Sequence, residues 1–311
     1  MRDFLLELAQ AVRDAVREHQ LLGRARRVLG DSPGGDAQFD IDEVAEQIVW
    51  QRVLAAGRPL AVYTEDGSLR TTGPAPEHVL IVDPIDGTRP MSANLEMGTV
   101  SVAVAPYGTG RPTVGDVSHA LVLEIKDGSW LYAAAGRPGV ESGGYPLAPP
   151  RLSPNRSLDT MFWSFELNGH PMRLMQQALG PLVDRSANTG GVFVFNSASF
   201  SITRVVTGQL DAYVDVGNRL LRDHPATEAD FRRAGRGQIL HLFPYDIAAS
   251  VLIAKQAGVH ITDGYGHSLD GMRLLDISPL NQRSCIAAAS GELHRALLAE
   301  LNWELTEAGA A

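Results

Sequence analysis

Cysteine is nearly absent: Cys285 is the only one in 311 residues. A single thiol excludes an intrachain disulfide. No Cys/His motif surrounds it, so it does not read as a nucleophile. In the apolar run Cys285-Ile286-Ala287-Ala288-Ala289 it reads as a small buried hydrophobe, and a reducing, cytoplasmic setting fits. Positive charge is also short: 27 Lys and Arg stand against 36 Asp and Glu, a formal net charge of −9. That argues against a nucleic-acid partner, which needs a basic face to displace counterions. A phosphorylated small molecule is still admissible, provided divalent cations sit between the two sets of negative charge. Long apolar runs are missing as well. None approaches the ~20 residues of a membrane span, so no membrane partner is expected. Charges interrupt the N-terminus early and no small-residue cleavage site follows, so no signal peptide is expected.

The chain is otherwise ordinary for a soluble globular protein, with 44% hydrophobic and 20% charged residues, and its length suits one large domain or two tightly joined halves. Helical spacing runs over 3–28, with Phe4, Leu5, Leu8, Ala11, Val12 and Val16 on one face. A Gly/Pro/Asp-rich break at 30–38 leads to a second helix over about 41–56. Asp40 with Glu43 reads as a capping box before it. Strand-like runs follow at 61–63, 79–82, 100–104, 119–125 and 130–133, and the later ones suggest a meander. Val79-Leu80-Ile81-Val82 is apolar throughout, as in a strand buried on both faces. A Gly/Pro-rich stretch at 136–157 marks the best internal boundary, giving sub-parts of about 1–145 and 146–311 within one domain. The second half alternates helix (200–207), strand (211–216) and an amphipathic helix (246–258) closed by Gly258, before an alanine-rich tail. The mixture predicts a layered α/β (α+β) architecture.

The most informative string is Asp83-Pro84-Ile85-Asp86-Gly87-Thr88. It follows a buried strand, and a turn there can aim both carboxylates at one point. Gly87 permits a tight turn, and Thr88 adds a hydroxyl where a helix start would offer free N–H groups to a phosphate. Pro90 fits the first turn of such a helix. The bland alternative is a plain strand-to-turn connection, since Asp, Pro and Gly are common turn formers. A second alternative, the aspartyl-phosphatase motif of the haloacid dehalogenases, spaces its carboxylates two apart, whereas these are three apart.

The run resembles the signature of the inositol monophosphatase family, within the phosphatases that include fructose-1,6-bisphosphatases and nucleotide 3′-phosphatases. Four further segments match in order: Phe39-Asp40-Ile41-Asp42, Thr64-Glu65-Asp66, Gly208 to Asp215, and Pro244-Tyr245-Asp246-Ile247-Ala248-Ala249. The resemblance implies an αβαβα sandwich and a Mg²⁺-dependent hydrolase for a small phosphate ester, working as a homodimer, with Li⁺ as an inhibitor. By resemblance, two or three Mg²⁺ are held by Glu65, Asp83, the Ile85 carbonyl, Asp86 and Asp246. A metal-activated water then attacks in line, positioned by Glu65 and by Thr88, whose hydroxyl Asp42 polarises. Gly87 and Thr88 would hold the phosphate. Asp86, Ala198, Asp215 and Arg89 would meet the substrate, with Asn196 and Ser197 nearby.

Some roles stay open at this level. Arg89 replaces a small or amide residue and could bind substrate or pair with an acid. Asp215 could instead be a surface acid at a strand end. Asp211 suits a turn, Tyr213 packing, and Tyr245 a packing replacement for the family's Trp. The segment 217–243 stands as an insertion holding Arg219, Arg222, Arg232, Arg233 and Arg236. It is expected either as a lid whose arginines meet a second anionic group or as a solvated or dimer-contact helix. The leading function is a phosphatase for an inositol, cyclitol or sugar phosphate. The enzymatic alternatives are a bisphosphate phosphatase, for fructose 1,6-bisphosphate or a 3′-phosphoadenosine nucleotide, and a biosynthetic-pathway phosphatase. The remote alternative is a non-catalytic binding homologue.

Overall fold

The computed structural model describes residues 1–23, 25–108, 111–145 and 151–306. The described residues form two large sheets. The first has seven strands in the order Leu69–Thr71, Ala61–Thr64, His78–Asp86, Thr99–Pro106, His119–Glu124, Trp130–Ala134, Glu141–Gly143. From His78 onward neighbouring strands run antiparallel, the expected meander, while Ala61–Thr64 joins His78–Asp86 in parallel. The second sheet has five strands in the order Gly191–Phe193, Phe162–Phe165, Ala212–Asp215, Cys285–Ala288, His260–Thr262. Cys285 is fully buried in its strand.

The layers follow from the two-residue side-chain period of the strands. In His78–Asp86, Val79 and Ile81 face one core, whereas Leu80 and Val82 face another. The second core is covered by the helices Arg2–Leu21 and Asp40–Ala55. The first core lies between the two sheets, around the helices Ala198–Val206 and Pro244–Ala257. A third core, under Met172–Ser186 and Gly291–Glu300, covers the outer face of the second sheet. The result is the αβαβα stack that the motif resemblance implies.

Four local expectations need correction. The first helix stops at Leu21, where Gly23 takes a positive φ of 70°, and Val28–Asp31 is a strand paired with Ala37–Phe39 across the presumed break. The second helix is capped by Asp42, whose carboxylate accepts the Phe39 N–H at 2.8 Å, and not by Asp40 with Glu43. Phe39 has no side-chain acceptor, so only half of a capping box exists. The helix Pro244–Ala257 is not amphipathic. Lying between two sheets, it buries residues around its circumference, Ile247, Ala248, Ala249, Val251 and Ile253 among them. The fourth concerns 217–243. It folds as helices Gly217–Asp223 and Glu228–Ala234, anchored in the outer core by Leu220 and Phe231.

Two of that segment's arginines pack on distant structure, and two make exposed ion pairs within their own helix. Arg219 stacks over Trp303, 3.8 Å from the ring centroid, and donates to the Gly264 carbonyl at 2.6 Å. Arg222 donates to the Leu280 carbonyl, Arg232 to Glu228 and Arg233 to Asp230. Of the expected internal boundary, 146–150 lies outside the described residues, as does the tail at 307–311. Among the described residues no helix is long and apolar enough to cross a membrane.

Candidate active site

Asp83 and Asp86 owe their placement to an irregular strand end. Asp83 pairs with Ser101, but Asp86 pairs with Thr99, so the strand carries one extra residue between them. Such a bulge bends the strand and re-aims side chains. Pro84 suits it because a bulged position needs no ladder N–H. Gly87 follows at φ 96°, and a Cβ there would lie 2.7 Å from the Met97 carbonyl and 2.9 Å from Ser197 Cβ. Only glycine fits both demands. A short helix, Thr88–Ser92, begins at once.

Asp86 ties the two halves together. Its Oδ2 accepts the Ser197 hydroxyl at 2.7 Å and the N–H groups of Ser199 and Phe200 at 2.5 and 3.3 Å. It therefore caps the helix Ala198–Val206 from across the cleft, where a carboxylate suits the positive end of the dipole. Asp83 Oδ1 accepts the Ile85 N–H at 3.0 Å, and Asp246 Oδ2 accepts the Phe243 N–H at 2.6 Å. The Thr88 hydroxyl lies 3.0 Å from both Asp42 Oδ1 and the Ile85 carbonyl. Glu65 follows the strand Ala61–Thr64 and lines the same cleft. Its neighbour Asp66 turns away to Ser68, Thr64 and Arg70.

Burial, then mutual repulsion, sets the electrostatics. Burial pushes the Asp83 carboxyl well above its ordinary range, and Asp86, Glu65 and Asp246 add to the push. Burial and then Asp86 do the same to Asp246. Burial and then Asp42 raise Glu65. Asp86 rises to about 6 by burial, held there by donors from Ser197, Ser199 and Phe200. Asp42 also rises to about 6 by burial, opposed by the Phe39 N–H and the Thr88 hydroxyl. Four carboxylates in one cleft, Asp83 and Asp86 buried and Glu65 and Asp246 half-buried, are costly unless cations neutralise them. Among the described residues no three acidic, His or Cys side chains already form a finished metal centre. The donor chemistry nevertheless suits a hard divalent ion. The hydrogen bonds of Asp83, Asp86 and Asp246 use one carboxylate oxygen each, and Glu65 makes none, so all four keep a free oxygen.

The remaining expected residues also gather here. Arg89 lines the cleft and forms a bidentate pair with Asp36, at 3.0 and 2.5 Å. Ala198 and Asn196 line the wall. Asp215 is fully buried at the end of its strand and faces the cleft, so it is no surface acid. Asp211 accepts the Phe162 N–H and the Asn155 amide, as expected of a turn acid. Tyr213 is fully buried, and Tyr245 stacks on Phe243 with ring centroids 5.3 Å apart.

Sequence reasoning missed Asp36, Glu166, Asn168, His170 and His241, all in the cleft lining. Strand direction explains Glu166. Phe162–Phe165 runs parallel to Ala212–Asp215, with Phe165 opposite Val214, so Glu166 and Asp215 emerge at the same edge. Ligands favour the carboxyl ends of parallel strands. The acid-and-histidine exit Glu166-Leu167-Asn168-Gly169-His170 after an apolar strand was the available signal. Asp36 closes the rim by accepting the Asn168 amide at 3.0 Å.

Fold and cleft together define a phosphomonoester hydrolase, with acidic side chains from both sheets converging over a Gly-Thr turn. The sequence pattern described as "Inositol monophosphatase family" matches residues 1–306, and the chain belongs to that family. Among curated relatives, the fructose-1,6-bisphosphatase/inositol-1-monophosphatase of Methanothermobacter thermautotrophicus is 26% identical over 269 residues, 84% of this chain and 82% of that protein. A protein of the same name from Thermococcus kodakarensis is 23% identical over 278 residues, covering 88% and 87%. The inositol monophosphatase structure of Thermotoga maritima shares the fold, with a TM-score of 0.67 at 20% identity over 96% of this chain and 94% of that one.

Proposed function

We propose that the chain hydrolyses the monophosphate of a sugar or cyclitol with the help of Mg²⁺. The observation that carries this is the convergence of four buried or half-buried carboxylates, each with an oxygen free, beside the Asp42–Thr88 pair. Glu65, Asp83, Asp86, Asp246 and the Ile85 carbonyl are the residues that would hold the ions. Bound there, the metal supplies charge neutralisation for the phosphoryl oxygens and lowers the pKa of a nucleophilic water.

The chain's own residues do the rest. The Thr88 hydroxyl has one proton, and donating it to Asp42 Oδ1 leaves its oxygen free to accept one from water. Asp42, raised to about 6, takes up the proton that Thr88 passes on. Glu65 accepts the water's second hydrogen and fixes its direction. Gly87, which brings the backbone close, and the Thr88 N–H receive the phosphate. Asp215 and the Ala198 wall meet the leaving group. The test is phosphate release from myo-inositol 1-phosphate, glucose 1-phosphate and p-nitrophenyl phosphate, with Mg²⁺ and with EDTA. Mg²⁺-dependent release from at least one ester is expected, and no release from any would end the proposal.

A further inference from the structure

The wall behind Asp215 is built from side chains that no motif contains. His170 lies with its Nε2 3.6 Å from Asp215 Oδ1. Its Nδ1 is 2.6 Å from the Asn168 carbonyl, which can only accept, so Nδ1 carries a proton. The His241 ring packs edge-on against His170, with centroids 5.4 Å apart, and both rings rest on Phe231. Gly217 makes this arrangement feasible. A Cβ there would fall 1.9 Å from His170 Nε2 and 2.8 Å from His241 Nδ1.

Among the described residues four buried polar atoms of the cleft lining make no hydrogen bond, Asp215 Oδ2, Asn196 Oδ1 and both nitrogens of His241, while His170 Nε2 stands within ion-pair distance of Asp215 Oδ1. His170 and His241 are each 5% exposed, and Asp215 is 0%. Leaving such atoms unpaired is costly, so a ligand that pairs them is strongly favoured. Asp215 Oδ2 and Asn196 Oδ1 can only accept, and a neutral imidazole has one donor and one acceptor. Hydroxyl groups, which do both, match this mixture. A second phosphate suits it less, because Asp215 and Asn196 would set acceptor oxygens, one of them on an acid, against its own.

Charge points the same way. Among the described residues Arg89 is the only Lys or Arg in the lining, and it is paired with Asp36. The arginines of 217–243 face elsewhere. Burial, then His170, drives the His241 ring well below its ordinary range, toward the neutral form, whereas the His170 ring, lowered by burial, is raised on balance by Asp215 and Glu166. Glu166 stands on the same wall, raised by burial to about 7.

We propose that His170 and His241, set beside Asp215, are specificity-determining residues that read hydroxyls on the leaving group and reject a second phosphate. This rests on the phosphatase reading above and decides between monophosphate and bisphosphate, which the relatives' double name does not.

The test compares kcat/KM, in Mg²⁺, for four esters: myo-inositol 1-phosphate, glucose 1-phosphate, fructose 1,6-bisphosphate and p-nitrophenyl phosphate, whose leaving group has no alcohol hydroxyls. The better polyol monophosphate should exceed the bisphosphate by about tenfold or more. In His241→Leu, the ratio of that substrate to p-nitrophenyl phosphate should fall by about tenfold, mostly through KM. In His241→Gln, which restores a donor and an acceptor, the ratio should recover in part. Should His241→Leu fail to fold, His241→Ala carries the comparison. Preference for the bisphosphate, or an unchanged ratio in the folded variants, overturns the inference while the phosphatase reading stands. Failure to turn over even p-nitrophenyl phosphate overturns both.

Discussion

Replacing Asp83 by Asn separates the site's electrostatics from its chemistry. Asp83 is 3% exposed and is pushed up by burial and by three carboxylate neighbours. Two like charges about 5 Å apart at an effective dielectric near 20 repel by roughly 3 kcal/mol. The open cleft screens part of this, so about 1–3 kcal/mol is the realistic gain from removing the charge. Asn keeps an oxygen for the Ile85 N–H, so no donor is orphaned. Because the folded carboxyl pKa is raised, the folded protein binds its protons more tightly than the unfolded chain. The stability these carboxyls contribute is complete below the ordinary value near 3.8 and is lost as pH climbs through about 6 for Asp86 and higher for Asp83. In EDTA at pH 8, Asp83→Asn should therefore melt above the wild type by about 2–8 °C, the difference shrinking toward pH 5. Mg²⁺ should reverse the order by stabilising only the wild type. Thermal unfolding followed by circular dichroism reads both. An Asn variant that melts at or below the wild type at pH 8 in EDTA would refute the repulsion argument.

Other consequences are more local. Thr88→Ala removes the hydroxyl between Asp42 and the Ile85 carbonyl and should lower kcat by about 10²–10⁴, while Thr88→Ser should keep most of it. Equal losses in both, measured by phosphate release, would deny the hydroxyl its role. Gly87→Ala forces a side chain to φ 96° and against the Met97 carbonyl, so it should cost about 1–3 kcal/mol in denaturant melts and reduce turnover. Arg219→Ala loses its stacking on Trp303 and Tyr265 and should lower the melting temperature while leaving KM unchanged. A raised KM would return that arginine to the substrate.

The layered fold was legible because its signals are periodic. Val79-Leu80-Ile81-Val82 must be buried on both faces, and the alternation beyond it marks the meander. The helix Pro244–Ala257 was recognised as a helix but misread as amphipathic, because an element between two sheets has no solvent face. The run to Leu21 was overextended because hydrophobic spacing persists past the point where Gly23 turns the chain. In the cleft, the residues of the 83–88 string were legible because turn chemistry and carboxylate spacing sit together in sequence. The Asp42–Thr88 hydrogen bond was legible only through resemblance, since 46 residues separate the two. Glu166 and His170 were not legible, because parallel pairing of 162–165 with 212–215 is what delivers them, and His241 reaches the cleft from the end of the 217–243 segment, far from any motif. Arg219 and Arg222 misled by composition, because their partners, Trp303 and the Leu280 carbonyl, are remote in sequence.

Phosphate release from myo-inositol 1-phosphate and glucose 1-phosphate, titrated with Mg²⁺ in wild type and Asp83→Asn, bears most directly on the central claim. The account predicts release that rises with Mg²⁺, vanishes in EDTA and is lost in the folded Asn variant. Release that ignores Mg²⁺, or that survives in Asp83→Asn, would contradict it.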